Sequence, residues 1–264
     1  MNNEKTLMKL PLGETLKRTF VYVWKNKNMM LTILPILLAL VVVEVVLTMT
    51  SSCSPDVEDC STSWQNIAIS LAFIVFNIGI IINYCRHIVL KDELDFVSLS
   101  FWKSVVFYCL VSIALGIFLA VPVILLISAL AVSTGVLANV SILVSLIYLI
   151  LFVECILISP LFLVFPSIAV KDWSLLSIKR LFRLVHGNHN RVFWGMIAAS
   201  LPCFLFLVIS AVILFGIYGT DVVRNSLSFW LLGIVIQTIN TCIKGSYYAH
   251  IYQFFKFVEK KEKL

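Results

Sequence analysis

Glu154 and Glu44 are the residues best placed to do chemistry, because each carboxyl lies inside a long apolar run. Glu154 is near the middle of the fourth such run and Glu44 about two turns from the outer end of the first. A charged carboxylate at mid-bilayer costs roughly 2.5–3.5 kcal/mol on insertion scales, so each is expected to face protein or to carry its proton. An acid in that setting can relay a proton or a cation; it can equally stay neutral and bond to a neighbouring Ser, Asn or Gln. Cys53 and Cys60 share the loop 51–65 with Asp56, Glu58 and Asp59 and with no Lys or Arg. If that loop meets an oxidising compartment a disulfide is open to them, and spacing alone does not decide it. Cys85, Cys109, Cys155, Cys203 and Cys242 fall in apolar runs and read as small buried residues.

His186 and His189 are three apart, but no Cys, Asp or Glu accompanies them, and a closed metal site needs about four ligands. No H-E-x-x-H, G-x-S-x-G, P-loop or dinucleotide fingerprint occurs, and no nucleophile comes with a recognisable base. The expectation is therefore no catalysis, no metal and no cofactor.

The elements that must hold these residues are set by composition. Hydrophobic residues make up 61% of the 264, charged residues 13%, and the mean hydropathy is +1.02. Soluble domains are about 45–50% apolar and 25% charged, so a soluble fold is nearly excluded. At about 20 apolar residues per crossing, the length accommodates six spans and short loops, with no room for a separate soluble catalytic domain. The spans are expected at about 29–50, 66–85, 104–131, 141–170, 192–218 and 227–245. Pro35 lies a turn or so inside the first, Pro122 should break the third, and Pro160 with Pro166 should bend or interrupt the end of the fourth. The first run has no A-x-A-like site after it and should be retained as a membrane helix.

Two stretches of the chain resemble each other. Leu16 to Asn28, LKRTFVYVWKNKN, and Ile178 to Asn190, IKRLFRLVHGNHN, share Lys17 and Lys179, Arg18 and Arg180, Phe20 and Phe182, Val23 and Val185, Asn26 and Asn188, Asn28 and Asn190. Apolar residues at helical spacing (Leu16, Phe20, Val23; Ile178, Leu181, Phe182, Val185) oppose the bases, and each copy leads into an apolar run. That is the pattern of a helix lying on a membrane surface before the chain enters it. Tyr22 and Trp24 suit the head-group boundary. At the far end of each unit, Ile82, Asn83 and Cys85 match Ile239, Asn240 and Cys242. The expected fold is all-α, with three parallel units of surface helix plus hairpin at about 12–90, 91–170 and 171–256. Parallel units differ from the inverted repeats on which many transporters build a midplane site.

The N-terminal arm, the even loops and the tail hold eighteen of the twenty Lys and Arg; Arg224 is on the other side, and Lys244 lies near the inner end of the sixth span, where it can snorkel. By the positive-inside rule both termini are cytoplasmic. The net charge of +6 then concerns lipid head groups rather than nucleic acid. Lys17, Arg18, Lys179, Arg180 and Arg183 are the expected head-group contacts. Asn77, Asn83, Gln237 and Asn240 read as interhelical hydrogen-bonding groups.

The run Phe165 to Trp194, FPSIAVKDWSLLSIKRLFRLVHGNHNRVFW, resembles a segment of a broad group of bacterial six-helix inner-membrane proteins. There, a proline-containing span end precedes a surface helix of the type A-x-x-R-S-x-x-L-x-x-G-x-x-x-R-V. Pro166, Arg180, Leu184, Gly187, Arg191 and Val192 fit that shape, and Ser177 and Leu181 depart from it. The group includes the YciC-like proteins and the membrane domain joined to some glycerophosphodiester phosphodiesterases. The resemblance implies a multi-pass protein of a bacterial inner membrane. The leading expectation is a lipid-interacting or scaffold protein whose partners are membrane lipids. Its competitor is a small-molecule or ion transporter with Glu154 as the coupling acid.

Overall fold

The computed structural model describes residues 8–50, 64–92, 98–134, 159–172, 178–218 and 227–262. These form α1 (Leu12–Lys25), α2 (Lys27–Thr50), α3 (Trp64–Leu90), α4 (Leu99–Thr134), a 3-10 turn (Ser159–Leu163), α5 (Val164–Ala169), α6 (Ile178–Val185), α7 (His189–Tyr218) and α8 (Leu227–Glu262). The protein is all-helical, and no strand occurs among the described residues. Among the described residues two stretches, Leu71–Leu90 in α3 and His189–Leu214 in α7, are long and apolar enough to cross a membrane. They differ in setting: 44% of the first apolar window is buried against other helices, and only 11% of the second. Glu154, Cys53 and Cys60 lie outside the described residues. Glu44 falls within the backbone of α2.

The prolines act unequally. Pro35 and Pro202 sit inside α2 and α7, which continue through them. Contrary to expectation α4 also runs on through Pro122. Around Pro160 and Pro166 the expected irregularity does occur, as a 3-10 turn running into the short α5.

The helix α8 is the central strut. It packs against α1, α2, α3, α5, α6 and α7, and its C-terminal half is an inner element rather than an appended tail. Tyr247, Ala249, Ile251 and Phe255 are all essentially sealed from solvent. Small residues permit the closest approaches. A Cβ on Gly245 would stand 3.0 Å from the Tyr84 Cβ and 3.1 Å from the Ile81 Cα, so α3 and α8 meet almost backbone to backbone. A Cβ on Gly195 would lie 1.8 Å from the Tyr247 hydroxyl, which donates to the Val192 carbonyl at 3.1 Å.

The expected inner stripe of α1 also needs correction. Its buried line is Thr15, Thr19 and Val23, with Leu16 and Phe20 only half-buried. Threonine can be buried there because each hydroxyl bonds one turn back, Thr15 to the Pro11 carbonyl and Thr19 to the Thr15 carbonyl. The slim side chains bring α1 onto α8, where the Ser246 hydroxyl donates to the Thr19 carbonyl at 3.5 Å.

Candidate lipid-facing interface

The bases gather where α1, the end of α3, the start of α4, α5, α6, the start of α7 and the end of α8 converge. Lys17, Lys179 and Arg183 are exposed, and no ion pair engages them among the described residues. Arg18 is exposed as well and bonds Glu14 at 3.0 Å, one turn away on the same helix. Arg180 departs from the expectation. It is half-buried and its guanidinium holds Glu259, so it ties α6 to α8 rather than reaching outward. Lys256 binds both Glu259 and Asp172, and the Tyr252 hydroxyl donates to Asp172 at 2.6 Å. Burial pushes the Glu259 carboxyl up, but Arg180 and Lys256 outweigh it, and the group ends below the ordinary carboxylate range. Burial and then the Asp172 bond raise the Tyr252 phenol.

Trp24 and Tyr22, expected together at the head-group boundary, are separated. Trp24 is 76% exposed, with the Lys27 ammonium 5.7 Å over its ring, an arrangement that suits an interface. Tyr22 turns inward between Tyr84, His87 and His250, with ring centroids 6.0 to 6.3 Å away. Burial pushes its phenol up to about 12. Burial likewise holds His250 below the ordinary imidazole range; a bond with Gln253 opposes this, and the Arg18 and Lys91 charges add to it.

Asn188, one of the six shared positions, is a clamp. Its Oδ1 accepts from the Leu10 amide at 2.7 Å and its Nδ2 donates to the Met8 carbonyl at 3.1 Å. Arg191 completes the grip by donating to the Leu10 carbonyl at 2.7 Å. The turn that presents Asn188 depends on Gly187, whose φ of 76° is left-handed. Asn26, the counterpart of Asn188, instead caps its own helix, with side chain and amide both donating to the Tyr22 carbonyl. In both copies the next helix begins on the residue after the shared asparagine, at Lys27 and at His189.

No known protein family, curated protein or solved structure matches this chain.

One internal likeness is clearer in the structure than it was in the sequence. Ile88, Lys91 and Asp92 are repeated eighty residues on as Ile168, Lys171 and Asp172. Both isoleucines are buried, and both lysines take left-handed backbone (φ 65° and 57°) that ends a helix. Both aspartates then hold a base, Asp92 on Arg86 at 2.9 Å and Asp172 on Lys256. The signal was the I-x-x-K-D spacing, hidden by the divergence around it. The acids matter, because this end of the bundle is cross-linked by ion pairs instead of being a field of bases alone. Asn77 meets the interhelical expectation, accepting from the Thr241 hydroxyl at 2.7 Å. Among the described residues no cluster of His, Cys, Asp or Glu could hold a metal ion.

Proposed function

We propose that this chain is a multi-pass protein of a bacterial inner membrane that organises anionic lipid at the cytoplasmic leaflet. On this reading it crosses six times in three units of surface helix plus hairpin, has both termini in the cytoplasm and carries no catalytic centre. The observation that carries the reading is the outer face of α7. Ile209, Val212, Ile213 and Ile217 are each 53–66% exposed and follow one another at helical spacing. Soluble monomers rarely leave an apolar patch of more than a few hundred Å² uncovered, and acyl chains would cover this one without cost. Lys17, Lys179 and Arg183 then stand at the head groups, where each base near an anionic surface contributes about 1 kcal/mol. Trp24 over Lys27 marks the same boundary. The matching helix boundaries after Asn26 and Asn188, and the two Lys-Asp helix ends, support the repeated units.

Reconstitution tests it. The chain should stay with membranes through an alkaline wash. In bilayers, tryptophan emission should be quenched more by brominated phosphatidylglycerol than by brominated phosphatidylcholine, and added salt should shrink the difference. The combined change Lys17→Gln, Lys179→Gln and Arg183→Gln should abolish that preference. Equal quenching of the native chain by the two lipids would end the proposal.

A further inference from the structure

Lys244 has polar neighbours that snorkelling alone does not explain. It lies with Asn240 and Gln237 along one stripe of α8, and all three line a cavity of about 560 Å³ between α8 and α7. The wall on α7 is formed by Ser200 and Cys203 with Phe204 and Leu207. No ion pair or hydrogen bond engages the Lys244 ammonium among the described residues. A cation and two amides on a lipid-facing groove are costly unless something polar meets them.

We infer that this cavity binds one anionic glycerophospholipid, with Lys244 on the phosphate and an acyl chain between α7 and α8. The inference rests on the membrane reading above. Depth decides the occupant. Tyr247 meets α7 at Gly195 and the Val192 carbonyl, and Lys244 lines the cavity beside Met196 and Ile197, four to five residues past Val192, or about 6–8 Å below it at about 1.5 Å per residue. A phosphate at the head-group boundary is within reach of its four-carbon stem. Asn240 is a further turn in, about 6 Å, the depth at which a glycerolipid presents its ester oxygens. There the Asn240 amide and the Ser200 hydroxyl can donate. Beyond them Phe204, Leu207 and Ile236 supply an apolar lining for hydrocarbon. The volume falls in the roughly 300–1,000 Å³ range of small-molecule pockets. The charge, the donors and the apolar lining thus follow the order in which a phospholipid presents phosphate, ester and chain.

Native mass spectrometry of the purified, delipidated full chain tests this by titration with phosphatidylglycerol, phosphatidylcholine of the same acyl chains, and inorganic phosphate. One phosphatidylglycerol should bind at least tenfold more tightly than phosphatidylcholine, and inorganic phosphate should not displace it. Lys244→Gln should weaken that first binding about tenfold and Lys244→Arg should restore it. Leu207→Trp should block it with the charge intact. The Lys17, Lys179 and Arg183 triple change should leave it in place while removing the quenching preference, which separates this site from the surface array. Native-strength binding by both Lys244→Gln and Leu207→Trp would overturn the inference and leave the surface reading standing. So would displacement by inorganic phosphate.

Discussion

Asn188 uses both ends of its amide on residues 8 to 10, which makes it the side chain that fixes the start of the chain to the bundle. Asn188→Ala leaves the Leu10 amide without its buried acceptor, which costs about 1–3 kcal/mol. The expected outcome is faster hydrogen exchange at Leu10 and easier tryptic cleavage at Lys9, with α7 and α8 unchanged. Gly195 is a second sensitive position. Gly195→Ala drives a methyl into the Tyr247 hydroxyl and the Leu12 side chain, and should lower stability by about 1–3 kcal/mol in a detergent melt. Tyr247→Phe should lessen that penalty only in part, because a methyl there also meets Leu12. Both residues were open to view in the sequence, Asn188 as a repeated position. Their partners were not, since a contact across 178 residues leaves no trace in local spacing. The same blindness made Arg180 look like a head-group contact, because its acid is 79 residues away on another helix.

At the scale of elements, α6 is too short to hold its shape alone, and its docking depends on Leu181, Val185 and the Arg180–Glu259 pair. The Glu259 carboxyl is lower in the folded state than in the unfolded chain. Its contribution is therefore complete above the unfolded value of about 4.3 and fades as pH falls through the lower folded one. Native protein should lose stability on acidification through that window, while Glu259→Gln should start about 1–2 kcal/mol lower, Arg180 being partly exposed, and respond less to pH. Lys91 and Lys171 give a prediction of opposite sign. Left-handed backbone disfavours a side chain, so Lys91→Gly or Lys171→Gly should each stabilise the fold by up to about 1 kcal/mol, seen as a higher melting point. The entry into the long apolar helices was readable to within a turn, expected at 29 and 192 and found at Lys27 and His189. The continuity of α4 was not, because an apolar helix can carry a proline without breaking and spacing alone does not tell which ones do. The inward face of α1 was misread for a related reason: hydrophobic periodicity favours Leu16 and Phe20, whereas close packing on α8 selects Thr15 and Thr19.

For the whole molecule, the reading of a shared leaflet predicts that single cysteines placed at Lys17 and Lys179 label with an impermeant maleimide from the same side of oriented vesicles. Labelling from opposite sides would contradict it. Composition alone carried the all-helical class, but neither charge counts nor repeats revealed that the best-packed region lies at the basic end and is held by the final helix. That arrangement has a consequence for biosynthesis. The C-terminal half of α8 leaves the ribosome after α1, α3, α5 and α7, and until then these lack the strut on which they close. On the membrane reading the earlier segments can insert one after another, yet the bundle cannot latch before α8 has emerged. On that reading a chain stopped near residue 245 would be threaded through the bilayer and still unfinished, a ready substrate for membrane quality-control proteases.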